Sequence, residues 1–329
     1  MKLAELGEFG LIGKIARKVS PDATVRIGIG DDAAATEPTP GCLTLTTSDM
    51  LIEGVHFDLD WCTPASLGRK SLAVNLSDIA AMGGVPRWFL LSLAIPPTLP
   101  LEFIEAFIQG MLGLAEEHNV TLIGGDTCSS RSGLAISVTL MGEQRPELVV
   151  SRSGACSGDL VFVTGTLGDA ALGLEMLKKG ERRSPAIDRH LDPIPRIREG
   201  LALAAAGLAS SMIDISDGLA ADLGHILEMS GVGARLLLDE IPLSPFYREA
   251  IPRHAPDPYR LALGGGEDYE LLFTVSPAAR EEAFAICRSC GTEASEIGVI
   301  TETEGLEIDS AAFPNYRLSA KGYNHFRNE

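Results

Sequence analysis

The sequence predicts a two-domain α/β protein of the α+β type. At 329 residues the chain is long enough for two separate cores. Strand-like and helix-like runs alternate in both halves. Between the halves lies GEQRPELVVSRSGACSGD, from Gly142, a stretch with little periodicity that reads as a crossing. The expected domains are therefore 1–147 and 148–329. No short-period repeat is visible, which excludes a solenoid.

In the first domain, apolar residues at helical spacing predict a helix over 8–19, broken by Pro21 and Asp22. VRIGIGDDAAAT is β-like but interrupted by glycines. CLTLTTSDMLIEGVHF is an alternating strand that runs into a loop. Pro64, with Thr63 as its cap, opens a central helix. Along that helix Ser71, Asn75 and Asp78 fall on one stripe, beside an apolar stripe of Leu72, Leu76 and Ile79. The pattern predicts a core helix with one polar edge. Asp78 lies close to Gly83-Gly84, where the helix dipole disfavours an anion. Either solvent or a nearby cation must satisfy it. RWFLLSLAI is a buried strand between Pro86 and Pro96. Pro100 opens a helix to about His118, VTLIGGDT is a short strand ending in a Gly-rich turn, and LAISVTLMG closes the half.

In the second domain DLVFVTG is a strand and LGDAALGLEMLKKG a helix. Another helix follows Pro193 and Pro195. SMIDISDGLAADLGHILEMSG is a strand, a turn and a helix capped at Ser216. GARLLLDEIPL and EDYELLFTV are strands, and SPAAREEAFAICRSCG is a helix.

The net charge of −18 argues against nucleic acid and anionic membranes as partners. Phosphate ligands remain open if divalent cations stand between them and the protein. The chain has no apolar run of about 18 residues to span a membrane. MKLAELGEFGLIGKIARKV lacks the continuous apolar core of a signal peptide. The six cysteines are scattered. Cys287 and Cys290 form a C-x-x-C without a second pair, which reads as two helix thiols rather than a zinc site. The expected compartment is the reducing cytoplasm.

Five acidic clusters sit beside glycine or hydroxyl residues at strand ends. They are Gly30-Asp31-Asp32, Thr47-Ser48-Asp49, Gly124-Gly125-Asp126-Thr127, Asp214-Ile215-Ser216-Asp217-Gly218 and Gly265-Gly266-Glu267-Asp268. Each alone reads as a turn. Together with Asp78 they suit hard cations at the ligand edge of a sheet, and hence Mg²⁺-dependent phosphate chemistry. Two phosphate-binding motifs fail. Gly28-Ile29-Gly30-Asp31-Asp32-Ala33 has no helix after it and sets two carboxylates against a pyrophosphate. Gly13-Lys14 has Glu8 and Ile15 where a P-loop needs glycine and a hydroxyl residue.

GIGDDAA, TTSDMLIEGVHF, KSLAVNLSDIAAMGG, LIGGDT, SRSGACSGD, VTGTLGDAALGL, IDISDGLAADLGHI, GGEDYELLFTV and KGYNHF, in that order, resemble the thiamine-monophosphate kinase family. The resemblance runs from near Glu8 to Phe326. It implies aminoimidazole-ribonucleotide-synthetase-like N- and C-terminal domains, with a homodimer joined through strands of the first. It also implies transfer of phosphate from ATP to thiamine monophosphate, with several Mg²⁺ ions. By motif, the resemblance assigns Asp32, Thr47, Ser48, Asp49, Asp78, Asp126, Asp214 and Asp217 to metal. It assigns Gly125, Asp126, Arg152 and Ser216 to ATP, and His56, Glu267 and Tyr323 to the thiamine substrate. Thr47-Ser48-Asp49 departs from the family's usual Ser/Thr-Thr-Asp but keeps its hydroxyl.

On their own chemistry, Tyr323 is either an aromatic face for a thiazolium or a tail-pinning residue, and His56 is either a substrate contact or a plain loop histidine. Glu267 is a candidate acceptor for an aminopyrimidine, Asp268 a turn-shaping residue, and His190, His225 and His254 structural. A phosphate monoester with a second pKa of about 6 needs no general base at neutral pH. The acids therefore hold metal rather than move protons. The alternatives are a related ATP-dependent enzyme with a different acceptor and a non-catalytic nucleotide- or metal-binding subunit.

Overall fold

The computed structural model describes residues 3–314 and 316–317. Contacts divide the chain into two compact units, Met1–Ile79 with Gly84–Pro146, and Ala80–Gly83 with Glu147–Glu329.

The first unit is a four-stranded sheet with helices against one face. Helix α1 (Leu3–Ala16) leaves helical geometry at Gly7. Strands β1 (Val25–Ile27) and β2 (Ala35–Thr36) pair as a short antiparallel ribbon around the Gly30-Asp31-Asp32 loop. The main sheet takes β3 (Leu43–Ile52), β4 (Val85–Ile95), β5 (Thr121–Ser129) and β6 (Ala135–Gln144) in the order β3-β6-β4-β5. Only β4 and β5 run parallel. They are joined by α3 (Leu101–Glu117), the crossover a parallel pair needs. Helix α2 (Pro64–Ala81) starts at the expected proline, and the Thr63 hydroxyl accepts the Ser66 N–H at 3.1 Å. Ile136, Val138, Leu140, Leu91, Leu93 and Ile95 form the buried face of the sheet with Leu72, Leu76 and Ile79 of α2.

Two expectations change here. The polar stripe of α2 is not displayed, because Ser71 and Asn75 are fully buried. Their side chains bond within the helix and to β3 instead. The expected turn at Gly124-Gly125-Asp126 is strand. Gly125 holds φ at +148°, and a Cβ there would lie 1.8 Å from the Leu91 carbonyl oxygen. Glycine thus lets β5 press against β4 where other residues would force it away.

The second unit has a six-stranded sheet in the order β12-β9-β11-β7-β10-β8. Its strands are β7 (Leu160–Thr164), β8 (Ala209–Asp214), β9 (Gly233–Leu237), β10 (Leu271–Val275), β11 (Ala294–Thr301) and β12 (Gly305–Asp309). All pairs are antiparallel except β12 with β9. Every residue of β10 is buried, Thr274 included, as its largely apolar sequence requires of an interior strand. Helices α4 (Asp169–Lys178), α6 (Ile197–Ala205), α7 (Leu219–Ser230) and α10 (Arg280–Cys290) match the expected ones. Helix α5 (Pro185–Leu191) was not expected, although Ser184 caps it at the Ile187 N–H and Pro185 opens it. Two further short helices, α8 (Pro245–Ala250) and α9 (Arg260–Gly264), complete the unit.

Candidate active site

In the first unit, β3 and α2 bring Thr47, Asp49 and Asp78 together on the covered face of the sheet. The Thr47 hydroxyl donates to Asp78 Oδ2 at 2.5 Å, and the Asp49 N–H donates to Asn75 Oδ1 at 3.2 Å. Burial, then the neighbouring Asp78 charge, pushes the Asp49 carboxyl up to about 6. Two carboxylates and a hydroxyl in a half-buried pocket form a hard-oxygen donor set that disfavours its own charge. Mg²⁺ typically takes one or two protein carboxylates and completes its shell with water and substrate phosphates, so this set fits it. Among the described residues no three Asp, Glu, His or Cys side chains converge to hold a metal by themselves.

Alternation along β3 sends Ser48 to the open face, where its hydroxyl bonds Thr139 Oγ1 at 2.9 Å. Asp126 is also on that face, exposed, in one row with Ser92, Ser137 and Met50. β3 and β5 are opposite edges of the sheet, about 14 Å apart by strand spacing. The first unit therefore presents two acidic positions, one on each face. Asp32 is exposed in the β1–β2 loop, where its N–H bonds the Asp31 carboxylate. His56 accepts the Ile52 N–H on Nδ1 at 3.0 Å, which closes the loop after β3.

In the second unit, two motifs form adjoining loops. The Glu267 N–H donates to Ser216 O, the Tyr269 N–H to Ile215 O, and the Ile215 N–H to Glu270 O. These bonds extend the β8–β10 pairing, in which buried Asp214 lies opposite Leu271. Gly266 allows this approach, since a Cβ there would meet Ser216 O at 2.3 Å. The expected cap at Ser216 is corrected: Gly218 is the N-cap of α7 and makes no side-chain cap bond. Asp222, in the first turn, reaches back with Oδ2 to the N–H groups of Ser216, Asp217 and Gly218, each at 3.1 Å. Burial raises its carboxyl to about 7 against the pull of these donors. Asp217 is left half-buried on the rim.

The acids after Gly266 diverge in role. Asp268 accepts the Gly168 N–H at 2.8 Å and so anchors the start of α4. Burial lifts its carboxyl well above the usual range. Glu270 is fully buried between Arg189 and Arg196 and also accepts the Thr164 hydroxyl. Glu267, at φ +70° and a quarter exposed, has Oε2 2.9 Å from Nδ1 of buried His190. Sequence reasoning assigned no role to Asp222 and left His190 structural. The D-G-x-x-x-D spacing and the Arg189-His190 pair on a Ser-Pro-started helix were the available signals. Arg152 is exposed at the crossing, and Tyr323 lies outside the described residues.

Residues 30–144 match the family model of the AIR synthase related protein, N-terminal domain, and residues 157–310 match its C-terminal domain. The thiamine-monophosphate kinase of Aquifex aeolicus (strain VF5) is 39% identical over 331 residues, covering 99% of this chain and 100% of that one. That of Escherichia coli (strain K12) is 41% identical, with coverages of 97% and 98%. The crystal structure of thiamine-monophosphate kinase from Stenotrophomonas maltophilia K279a superimposes with a TM-score of 0.82 at 38% identity, covering 91% of this chain and 94% of that one. A structure described as AaThiL complexed with AMPPCP and TMP gives 0.77 at 38% identity and 99% of both chains. A hydrogenase maturation protein, HypE, shares the fold with a TM-score of 0.78 at 19% identity. A likeness that runs end to end through both AIR synthase related domains, at close to two-fifths identity, places this chain in the thiamine-monophosphate kinase family.

Proposed function

We infer that the protein transfers the γ-phosphate of ATP to thiamine monophosphate, yielding thiamine diphosphate and ADP. The observation that carries this reading is the full-length match to a kinase chain solved with an ATP analogue and TMP.

The acceptor oxygen is already ionised at neutral pH, because a phosphate monoester has a second pKa of about 6. The protein therefore needs no general base. Its problem is repulsion. Like charges about 4 Å apart repel by roughly 4 kcal/mol at an effective dielectric near 20. Thr47, Asp49 and Asp78 would hold Mg²⁺, and Asp32, Ser48, Asp126, Asp214 and Asp217 are assigned to the same task by family motif. When bound, Mg²⁺ neutralises phosphate charge and aligns the reacting oxygens. Asn75 fixes β3 to α2 and so keeps Asp49 and Thr47 facing Asp78. Gly125, Asp126, Arg152 and Ser216 receive ATP. By family motif His56, Glu267 and Tyr323 receive the thiamine moiety, Glu267 as the candidate acceptor for an amino N–H.

The working state is a cytoplasmic homodimer. Supporting the dimer, the open face of the first unit's sheet exposes Met50 (58%) and Ile52 (38%) beside the hydroxyls of Ser48, Ser137 and Thr139. Among the described residues no helix is long and apolar enough to cross a membrane. The decisive experiment mixes the protein with ATP, Mg²⁺ and thiamine monophosphate. Equal amounts of ADP and thiamine diphosphate are expected. ATP consumption only with a different acceptor would transfer the chain to a related activity.

A further inference from the structure

We propose that Asp222 is a positioning residue that locks the Ser216–Gly218 loop into a form offering side-chain oxygens to the metal-bearing phosphates of the nucleotide. The inference rests on the nucleotide reading above, in which Ser216 meets ATP and Asp217 meets metal.

Three observations converge on it. The first is how the loop spends its backbone donors. Asp222 Oδ2 accepts the N–H groups of Ser216, Asp217 and Gly218, each at 3.1 Å, and the Ile215 N–H goes to Glu270 O. Successive amides aimed at one point at a helix start are the usual cradle for a phosphate. Here a carboxylate from the same helix fills that cradle. The loop is left to meet its ligand with a hydroxyl and a carboxylate, which suits a cation between loop and phosphate.

The second observation is burial. Asp222 is 2% exposed, so it backs the loop and is itself out of a ligand's reach. Between Ser211 and Ala220 only Ser216 and Asp217 are not buried.

The third is the opposite wall. Ser216 O accepts the Glu267 N–H, and Ile215 O accepts the Tyr269 N–H. Gly218, at φ +112°, packs where a Cβ would lie 2.9 Å from the Gly264 carbonyl carbon. The loop is thus gripped by its carbonyls on one side and by its amides on the other. Removing Asp222 leaves three amides without their acceptor and frees the amide side to rearrange.

Calorimetric titration of a non-hydrolysable ATP analogue in Mg²⁺ tests the assignment in the intact protein, well below its melting temperature. Asp222→Ala should bind the analogue about tenfold more weakly and need about tenfold more Mg²⁺ for half-maximal turnover, the scale on which residues that orient metal ligands act. Asp222→Asn keeps an acceptor oxygen and should recover most of the affinity. Added to Asp217→Ala, Asp222→Ala should cost at most about twofold more, because it acts through that neighbour. Ser244→Ala removes the cap of α8 and is the stability control, with a lower melting temperature but unchanged analogue binding. Unchanged binding in Asp222→Ala overturns the proposal. So does an equal loss in Ser244→Ala, or a full additional loss on top of Asp217→Ala. If Asp222→Ala does not fold, Asp222→Glu, which keeps the charge and shifts the oxygen by a methylene, must show the same loss. Unchanged binding there, or failure of both variants to fold, overturns the proposal. Absence of analogue binding in the unmodified protein rejects the nucleotide reading itself, and the proposal with it.

Discussion

Thr47 on an edge strand and Asp78 on the helix beneath it share a 2.5 Å hydrogen bond, with Asp49 two residues along the same strand. The site thus contains a built-in conflict between two neighbouring carboxylates, and its consequences are measurable.

Asp49→Asn should abolish turnover by several orders of magnitude yet strengthen the metal-free fold. Burial and Asp78 raise the folded pKa of Asp49 to about 6, above its unfolded value. The charged form is therefore penalised on folding. The penalty is absent below pH ~4, grows up to pH ~6 and stays constant above it, at roughly 2–3 kcal/mol. Melting curves without metal should show the variant more stable than wild type at pH 7.5 and equal at pH 4. An equal gain at both pH values would show that charge is not the cause.

Mg²⁺ with a non-hydrolysable ATP analogue should raise the melting temperature of the wild type. The rise should shrink or vanish in Asp49→Asn and in Asp78→Asn, because ligands that bind only the folded state stabilise it in proportion to occupancy. Chelation should remove both the rise and catalysis. Full activity in excess chelator would exclude the divalent-cation reading.

Glu270→Ala should destabilise the second unit by about 3–5 kcal/mol, since it strands Arg189 and Arg196 beside a buried cavity. Denaturant titration reads this directly. A loss well below 1 kcal/mol would mean that water already satisfies both guanidinium groups.

Gly266→Ala should cost at least about 1–3 kcal/mol and weaken acceptor binding, because its methyl would push against Ser216 O at 2.3 Å. Gly224→Ala, on a helix with open space around it, serves as the control and should be neutral or slightly stabilising. Similar behaviour of the two variants would discount the close approach.

Much of the fold was legible because period and punctuation agreed. Pro64 after Thr63, the alternation in β3 and the apolar run of β10 each specify one local structure. Helix α5 escaped because seven residues carry too little periodicity, even with a Ser-Pro start. The GGDT strand escaped because glycine usually marks a turn, whereas Gly125 serves a close backbone approach visible only when β4 is beside it. In the candidate site, motif nominated residues but could not give their orientation. Thr47 and Ser48 are neighbours in sequence and face opposite sides of a sheet. The Asp222 cap is local, reaching back only to residues 216–218, whereas the approach of His190 to Glu267 joins elements far apart in the chain.

The four residues Ala80–Gly83 belong to the second unit although first-unit sequence flanks them on both sides. Met82 O receives the Val150 N–H, and Gly200 fits against Ala80 O where a Cβ would lie at 2.1 Å. No single scissile point can therefore liberate either half intact. A fragment begun at residue 147 is missing a piece of its own wall, and genetic dissection of this protein calls for a graft of that tetrapeptide rather than a truncation.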